Sequence, residues 1–419
     1  PQAGATAAST AAAAPPATGA TAASTAAGPA ASNLTGNLVI WTFFDQVEDM
    51  GAQFGKKHPG VKVDVKVFPG DQYQTKARLA LQSGQSAPDI FDLERGYIGK
   101  FIDSPFAEDL TAMGAEDLLK DYVPYVAELG KDSNGVVRAV TDHSSPGGFW
   151  YRRDLAKQYM GTEEPEEVSE KVADWDRIVE LGKQVAQESG GKIHLLASYS
   201  DVIMVNQYHM EPWVEDGKLN IDPEWNEVLD TARSIRENNV DAKLDAFSPA
   251  WGNAWNNGSV LMFAWPSWAG FLVDREKTGG KWGIARAPKG YYAGGTYRAI
   301  YTRSKNKELA FEFVKYIASP EWQDYNLKKT LNMPGLQTVY QQNEDTFEDP
   351  LMAGQPVLQT YFPIAMDVPP RRADKYGEDI QSAFNEAVST MIKNKQPNES
   401  AFEDLKKRVR STYPELTVE

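Results

Sequence analysis

Leu38-Val39-Ile40-Trp41-Thr42-Phe43 opens the stretch that decides the fold. An apolar run of strand length without polar alternation is what a strand covered on both faces requires. Val47, Met50 and Phe54 then recur at helical spacing, and His58-Pro59-Gly60 stops that helix. Val61, Val63, Val65 and Val67 alternate with Lys and Asp, the pattern of a strand with one polar face. Tyr73, Ala77 and Leu81 predict the next helix, and Pro88-Asp89-Ile90-Phe91-Asp92-Leu93 the next strand. The order β-α-β-α-β generates a mostly parallel sheet with right-handed crossovers, so the fold class is α/β.

The alternation resumes downstream. A helix is expected from Asp174 to Glu188 with Trp175, Ile178, Val179 and Val185 inward, and another from Glu227 to Arg236. Ser259–Phe263 and Trp282–Ala285 read as strands. Phe311, Val314 and Ile317 mark a helix ended by Ser319-Pro320, where Ser319 serves as N-cap and Pro320 as first residue of the next one. A long helix is expected from about Asp379 to Lys393.

Upstream of the first strand the composition changes abruptly. Residues 1–32 hold 16 Ala with Thr, Pro, Ser, Gly and one Gln, and no charge, Leu, Ile, Val or aromatic. Such a segment cannot build a core, and residues 1–35 are expected to be a flexible tether. At roughly 150 residues per domain, 419 residues make two to three domains. The absence of Cys excludes disulfides, thiolate metal sites and cysteine nucleophiles. A net charge of −15 argues against nucleic acid as a partner, because phosphate neutralisation needs a basic face. No apolar run approaches the ~20 residues that span a bilayer. None of the four His falls in a metal-ligand spacing, and no glycine-rich phosphate loop is present, so no metal and no cofactor are expected.

Tryptophan is distributed unevenly. Trp251, Trp255, Trp265, Trp268 and Trp282, five of the 11, lie within 32 residues. Indole faces match the C–H faces of sugar rings, while neighbouring carboxylates, amides and guanidinium groups satisfy hydroxyls. Core packing is the commoner fate of any single Trp, and Trp175, Trp225 and Trp322, at helix starts, are assigned to it. Trp265 and Trp268 differ: Ala264-Trp-Pro-Ser-Trp268 follows a buried strand and Pro266 stops its ladder. Side chains just past a strand end in an α/β sheet face the ligand crevice.

Several stretches resemble the extracellular solute-binding protein family 1, the maltose-binding-protein-like sugar receptors of ABC importers. They are Ala87-Pro-Asp-Ile90, Trp150-Tyr-Arg-Arg-Asp154, Trp175-Asp-Arg-Ile178, Gly258-Ser-Val-Leu-Met-Phe-Ala-Trp-Pro-Ser-Trp268, Ser304-Lys-Asn-Lys-Glu-Leu-Ala310 and Ser319-Pro-Glu-Trp322. Ile392-Lys-Asn-Lys395 and Phe402-Glu-Asp-Leu405 complete the set, in the family's order over residues 37 to 412. Arg152 stands where the family usually has Asn, and Trp265 where it usually has Gly.

The resemblance implies a two-lobed, type II periplasmic-binding-protein-like fold with mixed or parallel sheets, helices on both faces and a ligand cleft between lobes. By analogy the chain crosses between lobes near Asp142–Pro146, Ala287–Lys289 and Lys328–Met333. Lobe 1 is then 36–143 plus 289–328, and lobe 2 is 144–288 plus 329–419. Carried over residue by residue, the resemblance implies a site with Phe43, Phe44, Asp45, Glu94 and Arg95 on the first lobe, the last two resembling the family's acidic–Arg couple that binds hydroxyls. On the second it implies Trp268 as the stacking ring, Trp265 beside it and Trp213 across the sugar path. Gly294 and Gly295 match a small-residue loop that lets backbone approach ligand, with Tyr297 and Arg298 next to it. Arg371, Arg372 and Tyr376 precede the long helix expected from about Asp379 to Lys393.

The expected function is the non-catalytic substrate-binding component of an ABC-type sugar importer, acting as a monomer on a carbohydrate, expected to be an oligosaccharide, and delivering it to membrane permease subunits. Its expected place is extracytoplasmic, held to the outer face of the cell membrane as a lipoprotein. Two alternatives stand beside it. A glycoside hydrolase would need paired carboxylates about 5 to 10 Å apart across the cleft. A receptor of the same shape could take a non-sugar solute.

Overall fold

The computed structural model describes residues 34–419, so the expected tether lies outside the described residues apart from Leu34 and Thr35. Four strands form early in the chain: β1 (Thr35–Thr42), β2 (Gly60–Val67), β3 (Ile90–Glu94) and β4 (Ala139–Val140). β1 lies between β2 and β3, parallel to both. That central position explains its apolar run, because both faces are roofed by helices. Leu38 and Ile40 pack on one side with Val47, Met50 and Phe54 of the helix Gln46–Lys57. Val39 and Trp41 meet Tyr73 and Ala77 of the helix Gly70–Ser83 on the other. A Cβ at Gly51 would come within 2.9 Å of the Val63 side chain, so glycine sets how closely the first helix seats on the sheet.

A second sheet follows, from β5 (Gly147–Arg152) and β6 (His194–Leu196), then a small hairpin of β7 (Val214–Glu215) and β8 (Lys218–Leu219), then β9 (Val260–Pro266) and β10 (Trp282–Ala285). The sheet order is β10-β5-β9-β6, with β5 antiparallel to β9 and β10, and β6 parallel to β9. Its core is tryptophan. Trp150, Trp255 and Trp282 lie 5.3 to 6.3 Å apart by ring centroid and are fully buried, the packing role that is the commoner fate of any single Trp. The chain then returns as β11 (Thr296–Ile300), antiparallel to β3 and β4, giving the order β2-β1-β3-β11-β4. The first sheet is therefore parallel only over β2-β1-β3. A strand that re-enters from the other lobe has no helical crossover to reverse its direction.

The lobes are stitched by segments that lie side by side. Gly147 N–H donates to Tyr291 O (2.7 Å), Ala293 N–H to Ser145 O (3.2 Å) and Ser144 N–H to Met333 O (2.8 Å). Near Lys328–Met333, where a third crossing is expected, the chain comes beside the first: His143 bridges Pro334. The helix Pro320–Thr330 runs unbroken to its left-handed end at Leu331. After the turn, Gln337 N–H bonds Asp121 O (2.8 Å) and the Gln337 amide bonds Tyr122 O (3.0 Å). Asn332-Met333-Pro334-Gly335 thus breaks the helix but folds the chain back onto the first lobe. The helix Val357–Asp367 is the next long element to pack on β5 and β10.

Candidate functional site

Strand ends from the two sheets, with the crossing segments beneath, enclose a cavity of about 660 Å³. On the second-lobe wall, β9 ends at Pro266 opposite Gly147, and the tight turn Ser267–Leu272 follows. This turn presents Trp268. Its Nε1 donates to Ala293 O (2.9 Å), and Phe271 lies nearly parallel to it with centroids 6.0 Å apart. Phe271 is 68% exposed, an unusual state for a large apolar ring. Gly294 and Gly295 carry φ of +71° and +116°, and a Cβ at Gly294 would stand 3.3 Å from the Trp268 Nε1. The glycines therefore let the loop reach the indole on one side, while Gly295 O accepts from Arg95 N–H (3.0 Å) on the other.

The first-lobe wall holds Phe44, Glu94 and Arg298. Phe44 is placed by Thr42, whose Oγ1 accepts from Phe44 N–H (3.0 Å) and donates to Asp92 (2.7 Å). Glu94 ends β3 and accepts from Gly96 N–H (2.6 Å), and burial raises its carboxyl above the ordinary range. At the floor Asp142 accepts from Arg298 Nη1 (2.8 Å), Trp322 Nε1 (2.8 Å) and Asn326 Nδ2 (3.1 Å), with His143 Nδ1 at 3.0 Å. Burial alone would raise the Asp142 carboxyl, but the Arg298 charge and these hydrogen bonds outweigh it and hold it below the usual range. Asp92, with fewer compensating partners, is raised by the same burial.

Glu94 and Arg95, expected to act as a couple, are separated. Glu94 faces the large cavity, whereas Arg95 turns to two neighbouring hollows of about 360 and 550 Å³, pairs with Glu378 and lies over the rings of Tyr208 and Tyr292. Trp265, with Trp251, lines the 550 Å³ hollow, and Arg371 lines the smaller one. Arg372 is drawn to Glu128. Trp213 borders that smaller hollow but is buried, stacked on Trp225 (5.5 Å) and bonded to Gln381 (2.9 Å), which makes it chiefly a packing residue. Tyr297 is corrected outright: β11 alternation sends it into the first lobe, where its OH donates to Val126 O (2.9 Å). Phe43 packs on Tyr73, Asp45 is exposed outside the cavities, and Tyr376 packs edge-on against Tyr413. Asp142, Asn326 and Glu378 were not legible as site residues, and Trp322, read as packing, joins the floor. Among the described residues no group of three or more His, Asp or Glu could hold a metal ion, and no helix is long and apolar enough to cross a membrane.

The lobes meet beyond the cleft as well. Arg95–Glu378, Lys100–Asp379 and Arg372–Glu128 join the first sheet's loops to the long helix Gly377–Lys393 and the loop before it. A Cβ at Gly99 would stand 2.0 Å from Asp374 O, closer than any side chain tolerates. Gly99→Ala should therefore hold the lobes apart while each keeps its core. Small-angle scattering should read a larger radius of gyration than wild type, and an unchanged radius would mean that this contact does not set lobe spacing.

Among proteins of known role, the chain is similar to an arabinooligosaccharide-binding protein of Halalkalibacterium halodurans, 24% identical over 392 residues, covering 86% of this chain and 85% of that one. A lactose-binding protein of Rhizobium radiobacter is 24% identical over 401 residues, covering 88% and 92%. A solved extracellular solute-binding protein of family 1 superposes with a TM-score of 0.79 at 22% identity, over 90% of this chain and 99% of that one. It shares the two-lobed architecture seen here. Residues 44–324, more than half of the chain, match the family model for bacterial extracellular solute-binding proteins, and the protein belongs to that family.

Proposed function

We propose that this protein captures a saccharide in the 660 Å³ cleft between its lobes and delivers it to the membrane permease of an ABC importer. The observation that carries the reading is the make-up of that cleft, with the Trp268–Phe271 stack on one wall and Glu94, Asp142, His143 and Asn326 among the groups around it. A pyranose offers apolar C–H faces to an indole and hydroxyls at its edge to carboxylates and amides, so a cleft with both kinds of wall suits it. The arabinooligosaccharide- and lactose-binding relatives support a ligand of more than one sugar ring. Closure would bend the segments around Asp142–Pro146 and Tyr291–Gly295, bringing Phe44 and Glu94 against a ring already resting on Trp268.

The protein works outside the cytoplasm as a monomeric receptor, and its Ala-rich N-terminal segment tethers it to the outer face of the membrane. It performs no chemistry on the sugar. Titration calorimetry against a panel of di- and oligosaccharides should give saturable binding, with the sugar recovered intact by chromatography. A cleavage product would instead establish a carbohydrate-active enzyme. A non-sugar solute released from the purified protein on denaturation, with no response to the panel, would establish a receptor of another specificity.

A further inference from the structure

The 360 Å³ hollow beside Arg95 contains a cation that sugar capture in the main cleft leaves unused. Five cationic side chains and three carboxylates line it, in a chain whose net charge is −15. Four of the five cations are neutralised: Arg95 by Glu378, Lys100 by Asp379, Arg372 by Glu128 and Lys375 by Glu415. Arg371 is the fifth. Among the described residues nothing forms a hydrogen bond or ion pair with its guanidinium, although the residue is partly buried. Glu211 and Asp222 act on it only at longer range, and Asp222 is already engaged by the backbone N–H groups of Glu211 and Glu224 (both 2.8 Å). Burial correspondingly pulls Arg371 below the ordinary arginine range. A guanidinium that has lost water without gaining a counter-ion is costly, and a carboxylate that meets its planar fork in two parallel hydrogen bonds removes the cost.

The hollow is not isolated. It shares Arg95, Gly96, Gln207, Tyr208, Glu378 and Gln381 with the 550 Å³ hollow in which Trp251 and Trp265 lie. Trp265 also meets Trp268 of the main cleft edge-on, with ring centroids 5.8 Å apart, so a saccharide that rests on Trp268 and runs past Trp265 can place its terminal residue beside Arg371, and the volume is at the small end of ligand pockets, as one terminal ring requires. Resting on the sugar-binding reading above, we propose that Arg371 receives the carboxylate of a hexuronate residue, so that the preferred ligand is an acidic oligosaccharide. A carboxylate suits the site better than a phosphate. Glu211, Asp374 and Glu378 remain in the wall and would repel a dianion more strongly than a monoanion.

The test uses matched di- and trisaccharides that differ only in carrying a hexose or the corresponding hexuronate at one end, titrated calorimetrically into the full chain. The uronate member should bind at least tenfold tighter. Arg371→Gln should bring that ratio to about one, and Arg371→Lys should keep part of it, because lysine supplies the charge without the fork. Raising NaCl should weaken the uronate member more than its neutral partner. If Arg371 served only to hold Glu211, Glu211→Gln would abolish the preference in the same way; the expected result is a larger preference, since a competing carboxylate is gone. Equal affinities in wild type, an Arg371→Gln loss shared equally by both members, or a greater gain for sugar phosphates than for uronates would overturn the proposal. Failure of every saccharide to bind would overturn sugar capture itself, and this assignment with it.

Discussion

Asp142→Ala should cost about 3 to 5 kcal/mol of folding stability at neutral pH, the scale for removing one partner of a buried ion pair. Arg298 would retain only Asp92, whose nearest oxygen is 3.4 Å from Nε, and the Trp322 and Asn326 donors would lose their acceptor. Urea unfolding followed by tryptophan fluorescence measures the loss, and a value below about 1 kcal/mol, that of an ordinary exposed pair, would show that Asp142 is not the hub described here. The pH dependence has a definite sign. The folded Asp142 titrates below its unfolded value of about 3.9, so its contribution is present above that value and is lost as the pH falls through the folded one. Wild type and an Asp142→Asn variant should therefore differ most near neutrality and converge on acidification. Asp92 behaves oppositely, because burial raises it: it subtracts stability as the pH rises, and Asp92→Asn should be the milder change.

Trp268→Ala should raise the dissociation constant for the bound sugar at least about tenfold, or about 1.4 kcal/mol. The ring is held by its bond to Ala293 and flanked by Phe271, so little conformational freedom is lost when a sugar settles on it. Trp268→Phe keeps an apolar face but loses the bond that orients it, and should fall between wild type and the alanine variant. Calorimetry with the tightest sugar of the panel decides the matter. Normal affinity in the alanine variant would move the stacking surface elsewhere, to Trp265 in the neighbouring hollow.

Local pattern alone was enough for much of this molecule. The apolar run at Leu38–Phe43 called for a strand roofed on both faces, and β1 is that strand. Trp268 was legible because a proline ends the strand before it, which is a local constraint. What no local pattern contained was the pairing of residues far apart in the chain. Asp142 finds Arg298, Trp322 and Asn326 only because the chain leaves the first lobe after Asp142 and comes back before Arg298. Glu94 and Arg95 looked like one acidic–basic couple, yet successive side chains at a strand end point to opposite sides, and each enters a different cavity. Tyr297 and Arg298 are divided by the same alternation along β11, one into the core and one to the cleft. Periodicity and breakers therefore determined the elements, since they act over a few residues, whereas burial and charge pairing across the lobes, which depend on where the chain returns, were decided only by the tertiary structure.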